Sequence, residues 1–405
     1  MFRPFTNIEF QQLTGDRHLY FKFGFCNQFS VSTTWVDLTN DAKVTLPKNI
    51  YVLDQNGVKQ ALGGTTPTIL INDLFQRGDR VRISYGYDFD DGSKVHTQIF
   101  EGYISKVTSK KPIQLELEDN MWVLKQTPIP RQVWPASKPI QELLQPLLTP
   151  LGLTIDTKVS INVGSIIIEN ESVAQFLMRI RKDYHIESVF VKDNLVLGFD
   201  PYAGITPNKD VYKFIFQYNI ISDELDWQRK DDVKLSAVVQ CVNTTSGGTN
   251  KKGEVKTKKE HLSVLVFNKP DGSWGYSVKK KDEPLPENVE GERRTLFFPS
   301  KLDEDALNLL PQSEREKYLK TNIVTPETLF NLGKAVLSKY YYDGFKGKFT
   351  TFAHPYVKIG DTIYIEDSKL PDRNGKYNVK AVEYTGGING HRQIIQLDYK
   401  LITKK

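Results

Sequence analysis

The strongest constraint on this chain is a two-residue alternation between Gly78 and Lys125. Val81, Ile83, Tyr85 and Tyr87 alternate with Arg80, Arg82, Ser84 and Gly86. Phe100, Gly102 and Ile104 continue the pattern, and Ile113, Leu115 and Leu117 alternate with Gln114, Glu116 and Glu118. A period of two sets one row against a core and the other toward solvent or a partner. The stretch therefore predicts three β-strands, the first two joined by Asp90-Asp91-Gly92, because hairpin turns with positive φ favour Gly. An echo lies near the C-terminus. Gly78-Asp79 and Ile113-Gln114-Leu115 recur as Gly360-Asp361 and Ile395-Gln396-Leu397, with the same interval of 35 residues. This points to two copies of one β module.

The segments around these copies differ in pattern. Residues 1–75 read as short strands, with alternation at Leu19, Phe21, Phe23 and Phe25, a further strand over Ser30–Leu38, a turn at Asp54–Gly57 and a loop at 63–67. Pro128, Pro130 and Pro135 mark a linker. A small α/β domain is expected next. It comprises a helix over 136–152 capped by Ser137 and disturbed by Pro146, a strand pair within Ile155–Ile168, a helix from about 170, and a hairpin over Val189–Leu197. β pattern returns at Tyr212, Phe214 and Phe216 and over Val233–Val242. Thr244–Glu260 is expected to be a mobile loop, because Lys251–Glu260 holds five Lys against two Glu. Residues 281–290 read as a polar connector. Helices are expected over 303–319, interrupted by Pro311, and over 325–343, where Thr325 caps and Pro326 takes the first position.

Composition excludes more than it identifies. The 405 residues suffice for two or three domains, and 25% charged with 39% hydrophobic residues is an ordinary globular mix. A net charge of +5 is too small to argue for nucleic acid. No apolar run follows Met1–Phe10 as a signal peptide requires, and no stretch offers the ~20 apolar residues of a membrane span. Synthesis and folding in the cytosol are expected, and Cys26 and Cys241 read as free thiols.

No catalytic constellation emerges. His18, His96, His185, His261, His354 and His391 show no metal-ligand spacing, so no metal or other cofactor is expected. His354 reads as a loop histidine. There is no GxSxG or phosphate-loop pattern. Asp90-Asp91, Glu116/Glu118/Asp119 and Asp231-Asp232 are acid pairs without a base or nucleophile beside them, and solvated faces explain them.

Several stretches in order resemble the tail hub (baseplate hub) family of bacteriophages and related contractile injection machines, including the late-control protein D group. They are Phe100-Glu101-Gly102-Tyr103-Ile104 with Asp119 and Trp122–Lys125, then Ser172–Leu177 with Tyr184 and Leu195–Gly198. Trp227, Arg229 and Asp232 follow, and last come Phe352-Ala353-His354-Pro355, Gly360-Asp361 and Gly375-Lys376-Tyr377. The resemblance implies a β-rich α+β fold with two tail-tube-like β-barrel domains, an intervening small α/β domain and an insertion in the second half. The divisions are 1–127 for the first barrel, 128–205 for the α/β domain, 206–244 with 326–405 for the second barrel, and 245–325 for the insertion. It further implies a non-enzymatic virion protein of the tail, made in the bacterial cytoplasm. Three copies would form a pseudo-sixfold ring that binds the tail tube protein and the tip, spike or distal tail proteins, with a lumen for DNA. Arg80, Arg82, Gln114, Glu116 and Glu118 then become a candidate lumen or subunit-interface face. The competing expectations are a carbohydrate-binding adhesion protein of β-sandwich type, stacking exposed Tyr and Trp on sugar rings, and a wall-degrading tail enzyme.

Overall fold

The structure is a computed structural model that describes residues 2–47, 50–53, 59–62, 74–108, 112–135, 138–157, 163, 165–184, 186–198, 202, 205–249, 255–278, 292–302 and 304–401. The expected turn at Asp54–Gly57, the loop at 63–67, the cap at Ser137 and the connector at 281–290 lie outside the described residues.

The first part of the chain forms β1 (Phe2–Gln11), β2 (Tyr20–Phe23), β3 (Gln28–Thr34), β4 (Asp41–Thr45), β5 (Ile50–Leu53), β6 (Lys59–Leu62), β7 (Arg80–Phe89), β8 (Lys94–Val107) and β9 (Gln114–Glu118). The alternation holds: Val81, Ile83, Tyr85 and Tyr87 are buried while Arg80, Arg82 and Ser84 are not. Gly92 sits in the β7–β8 turn with φ +85°. Apart from the β5–β6 hairpin, these strands pair in the order β2-β1-β7-β8-β9-β4-β3.

A second core follows, built by α1 (Met121–Gln126), β10 (Gln132–Trp134), α2 (Ile140–Leu148), β11 (Thr154–Thr157), β12 (Ile166–Ile168), α3 (Val173–Tyr184), β13 (Glu187–Val191) and β14 (Asn194–Gly198). Pro146 lies inside α2, which gives way at once to a 3-10 turn over Thr149–Leu151. One expectation fails here. β11 and β12 do not pair with each other: β11 lies parallel to β14, and β12 lies antiparallel to β10. Local sequence favoured the near neighbour, whereas burial of Leu195 and Leu197 under the helices selects the distant partner.

β15 (Tyr212–Ile215) and β16 (Ile220–Gln228) return to the main sheet. Then β17 (Leu235–Thr249), β18 (Val255–Asn268), β19 (Trp274–Val278) and β20 (Glu292–Phe298) make a four-stranded sheet in the order β19-β18-β17-β20. α4 (Glu304–Leu309), α5 (Gln312–Thr321) and α6 (Pro326–Ser338) complete its core. Pro311 separates α4 from α5, and Thr325 caps α6 with a reciprocal Thr325–Thr328 pair. Residues 244–249 and 255–260 are strand rather than loop, paired through Thr249 and Val255. Like charge did not prevent pairing, because the strand ladder satisfies the backbone groups whatever charge the side chains carry.

The last strands are β21 (Gly344–Phe352), β22 (Thr362–Glu366), β23 (Gly375–Gly387) and β24 (Arg392–Leu401). Here the repeat becomes structural. β22-β23-β24-β21-β16 repeats the succession β7-β8-β9-β4-β3. Gly78 N–H donates to Ile104 O at 2.8 Å and Ile104 N–H to Asp79 O at 2.9 Å. Gly360 N–H donates to Val379 O and Val379 N–H to Asp361 O, both at 3.0 Å. The Gly-Asp turns are therefore equivalent. The Ile-Gln-Leu halves are two residues out of step, because Leu117 pairs with Ile104 while Leu397, not Tyr399, pairs with Val379.

The two copies join edge to edge. β3 of the first pairs antiparallel with β23 of the second, from Thr34 opposite Ala381 to Gln28 opposite Gly387. The result is one β-rich sheet of 13 strands over a shared core that includes Phe29, Tyr85, Tyr377 and Tyr384. Among the described residues no pairing closes either copy into a barrel; the main path runs open from β16 to β2.

Candidate assembly surface

The five polar residues singled out in the sequence lie on the sheet face opposite the core, in cross-strand rows. Arg80 faces Tyr103, which faces Glu118; Lys106 faces Glu116; Gln114 faces Thr45. None is a bare charge. Arg80 Nη2 is 2.5 Å from Glu101 Oε1 and 3.6 Å from Asp193, and Arg82 Nε donates to Glu101 Oε1 at 2.8 Å. Glu101 is held below the usual carboxylate range, since hydrogen bonds from Arg82 and Gln98 and the charge of Arg80 outweigh its burial. Glu116 meets Lys106 at 3.1 Å and Glu118 meets Lys125 at 2.6 Å. Gln114 O accepts from both N–H and Oγ1 of Thr108. The face is thus a mosaic of both signs. Arg80 reaches Asp193 in the β13–β14 turn, so one end of the mosaic already braces the α/β core. The exposed Lys106–Glu116 pair contributes about 0–1 kcal/mol.

Several polar residues with larger roles were not recognised from sequence. Asp79 and Asp361 are each 1% exposed. Asp79 accepts Gln76 N–H at 2.9 Å and takes both oxygens to Arg17. Asp361 accepts Lys358 N–H at 2.9 Å and both the backbone and side-chain N–H of Asn208 at 2.7 Å. Each carboxylate staples a preceding segment to the start of a repeat.

Asp119, taken in the sequence as part of a solvated acid row, is buried. It accepts Asn40 N–H at 3.0 Å and Met121 N–H at 2.9 Å, and burial pushes its carboxyl up to about 6. It is a tie between the β3–β4 connection and α1, not an acid beside a base. His391 bridges Thr6 Oγ1 at 2.9 Å and Gly86 O at 3.1 Å, with its pKa lowered chiefly by burial. His354 is exposed, next to a cis bond to Pro355. Asp398 accepts Tyr202 Oη at 2.6 Å, and Tyr202 Oη in turn accepts Trp35 Nε1 at 3.1 Å. This chain ties the first repeat to the second through the segment between β14 and β15.

Among the described residues no group of three or more His, Cys, Asp or Glu could hold a metal, and no helix is long and apolar enough to cross a membrane. Cys26 and Cys241 are both free and buried, with thiols pushed up to about 12 by burial. The strand tyrosines Tyr85, Tyr87, Tyr377 and Tyr384 lie in the core, which removes them from any role in stacking on sugars.

No family model matches the sequence, and no curated protein matches it. Solved structures do share the fold. A tail protein from Neisseria meningitidis MC58 aligns over 98% of this chain and 96% of its own, with 12% identity and a TM-score of 0.51. The 43 kDa tail protein of prophage MuSo2 from Shewanella oneidensis aligns over 98% of both chains, with 10% identity and the same TM-score of 0.51. The fold is that of these tail proteins, which bears out the resemblance to the tail hub family read from the ordered motifs.

Proposed function

We propose that this chain is a structural tail hub. Three copies form a ring of six similar β modules that joins the tail tube protein to the tip or spike and leaves a lumen for DNA. The observation that carries this reading is the repeat: two copies of one strand succession, each opened by a buried Gly-Asp staple and fused through β3 and β23. A chain with two similar modules matches a sixfold tube with three subunits, and a head-to-tail contact between them closes when the rotation permits. Tail proteins of the same fold support the setting.

In this assembly each repeat is a wall segment of a tube-like barrel. Residues 128–205 form the α/β domain between the walls. The core built on β17, β18 and α6 is the insertion, and it takes in 235–241 and 329–337 besides 245–325. The mosaic containing Arg80, Arg82, Gln114, Glu116 and Glu118 lines the lumen or a subunit seam. The protein has no catalytic role; it resides in the virion tail. Electron microscopy of the protein mixed with tail tube protein tests this: rings of three copies seated on tube ends are expected. Separate particles with no ring in any mixture would overturn it.

A further inference from the structure

The β3–β23 junction has an unfilled counterpart. Ile104 and Val379 are equivalent through their Gly-Asp turns, so Lys106, Val107 and Thr108 correspond to Ala381, Val382 and Glu383. Glu116 and Gln396 are their partners across the next strand, facing Lys43 and Lys348. Lys43 faces Ser30 and Lys348 faces Glu224, so β16 corresponds to β3, with Asp226 in the place of Ser32 and Gln228 in that of Thr34. β3 is docked on β23. β16 pairs only with β21 among the described residues and ends the sheet, with residues 221–224 and Asp226 exposed. Ile104 still bonds Gly78 and Asp79, but among the described residues the end of β8 beyond Ile104 is paired only on its β9 edge.

We propose that β16 of one copy adds to the end of β8 of the next copy, antiparallel, repeating between chains the joint that β3 makes with β23 within the chain. The register follows from the equivalences. Thr34 faces Ala381 and Ser32 faces Glu383, so Gln228 faces Lys106 and Asp226 faces Thr108 of the next copy.

Charge favours this occupant. β16 carries Asp223, Glu224 and Asp226 and no basic residue, while the receiving end of β8, residues 104–108, carries Lys106 and no acid. Opposite charges on facing strands stabilise a pairing and like charges oppose it. The same acids disfavour pairing of β16 with another β16, which protects an open edge from random association. Within the chain Glu224 is 3.3 Å from Lys348 and Lys106 is 3.1 Å from Glu116, exposed pairs weak enough to exchange partners. The inference rests on the ring reading and names its seam.

Paired cysteines test the register, since a disulfide needs Cα atoms within about 7 Å. Two in-register pairs, Asp226→Cys with Thr108→Cys and Gln228→Cys with Lys106→Cys, are each expected to give covalently linked dimers and trimers under mild oxidation. The off-register pair Ser222→Cys with Lys106→Cys is expected to stay unlinked. Cys26 and Cys241 are buried and do not compete. A three-chain native mass with neither in-register pair linked would overturn the strand joint and leave the ring standing. A single-chain mass for the unsubstituted protein would overturn both.

Discussion

Asp79 and Asp361 hold the same position in two copies of one turn. Each accepts, at 2.9 Å, the N–H of the residue three before it, and each donates its own N–H back to that residue's carbonyl at 3.2 Å. What differs is the third party. Asp79 secures Arg17 after β1, whereas Asp361 secures Asn208 before β15. The repeat thus conserves its turn while each copy uses the spare acceptors to anchor its own leading segment.

Removing either carboxylate leaves several part-buried donors unmatched. Asp361→Ala is expected to lower stability by about 2–4 kcal/mol, because orphaning a fully buried donor costs about 1–3 kcal/mol and each of these costs up to that. Asp79→Ala should cost a similar amount and free the segment around Arg17. Urea unfolding midpoints check the first, and hydrogen exchange at Leu13–Arg17 checks the second.

The junction between repeats depends on two glycines. A Cβ on Gly386 would lie 2.4 Å from the Phe29 ring, and one on Gly387 would lie 2.2 Å from Asn27 O at a φ of +129°. Gly387→Ala is expected to loosen β3 from β23 and destabilise by about 1–3 kcal/mol. Faster hydrogen exchange confined to β3 and the end of β23 would show it.

Asp119 should leave a signature in the pH dependence. Its folded pKa of about 6 lies above the ordinary carboxylate value, so the folded state holds the proton more tightly than the unfolded chain. Its contribution is therefore fully present below about pH 4 and is lost as pH rises through about 6. Stability of the protein minus that of Asp119→Asn is expected to fall by about 1–3 kcal/mol from pH 4 to pH 7. A difference that does not vary with pH would contradict the burial of this carboxyl.

His391 should act in the opposite sense. Its pKa is lowered in the fold, so its contribution is present above the ordinary imidazole value of about 6.5 and is lost as pH falls below it. His391→Phe leaves Thr6 and Gly86 without their partner and is expected to cost about 1–3 kcal/mol at pH 8. The deficit should narrow toward pH 5, as read from denaturant midpoints.

How much of this was legible in the sequence follows from the range of each interaction. The β7–β8–β9 alternation, the Thr325 cap and the Pro311 break depend on neighbours within a few residues, and the chain carries those signals directly. The parallel pairing of β11 with β14 and the joint of β3 with β23 depend on partners far apart in the chain, which periodicity does not specify. Asp119 misled because its charge groups it with Glu116 and Glu118, whereas a period of two sets it in the inward row of Leu115 and Leu117. The strand stops at Glu118, and that carboxyl accepts Met121 N–H at the start of α1. The echo of Gly-Asp was visible, but not the staple that makes it matter, since Arg17 and Asn208 come from different directions.

The most direct test of the ring is the mass of the native protein, measured without denaturant across micromolar concentrations. A three-copy hub predicts a species of three times 46.4 kDa. A species that stays at 46.4 kDa at every concentration, with and without tail tube protein, would contradict the account.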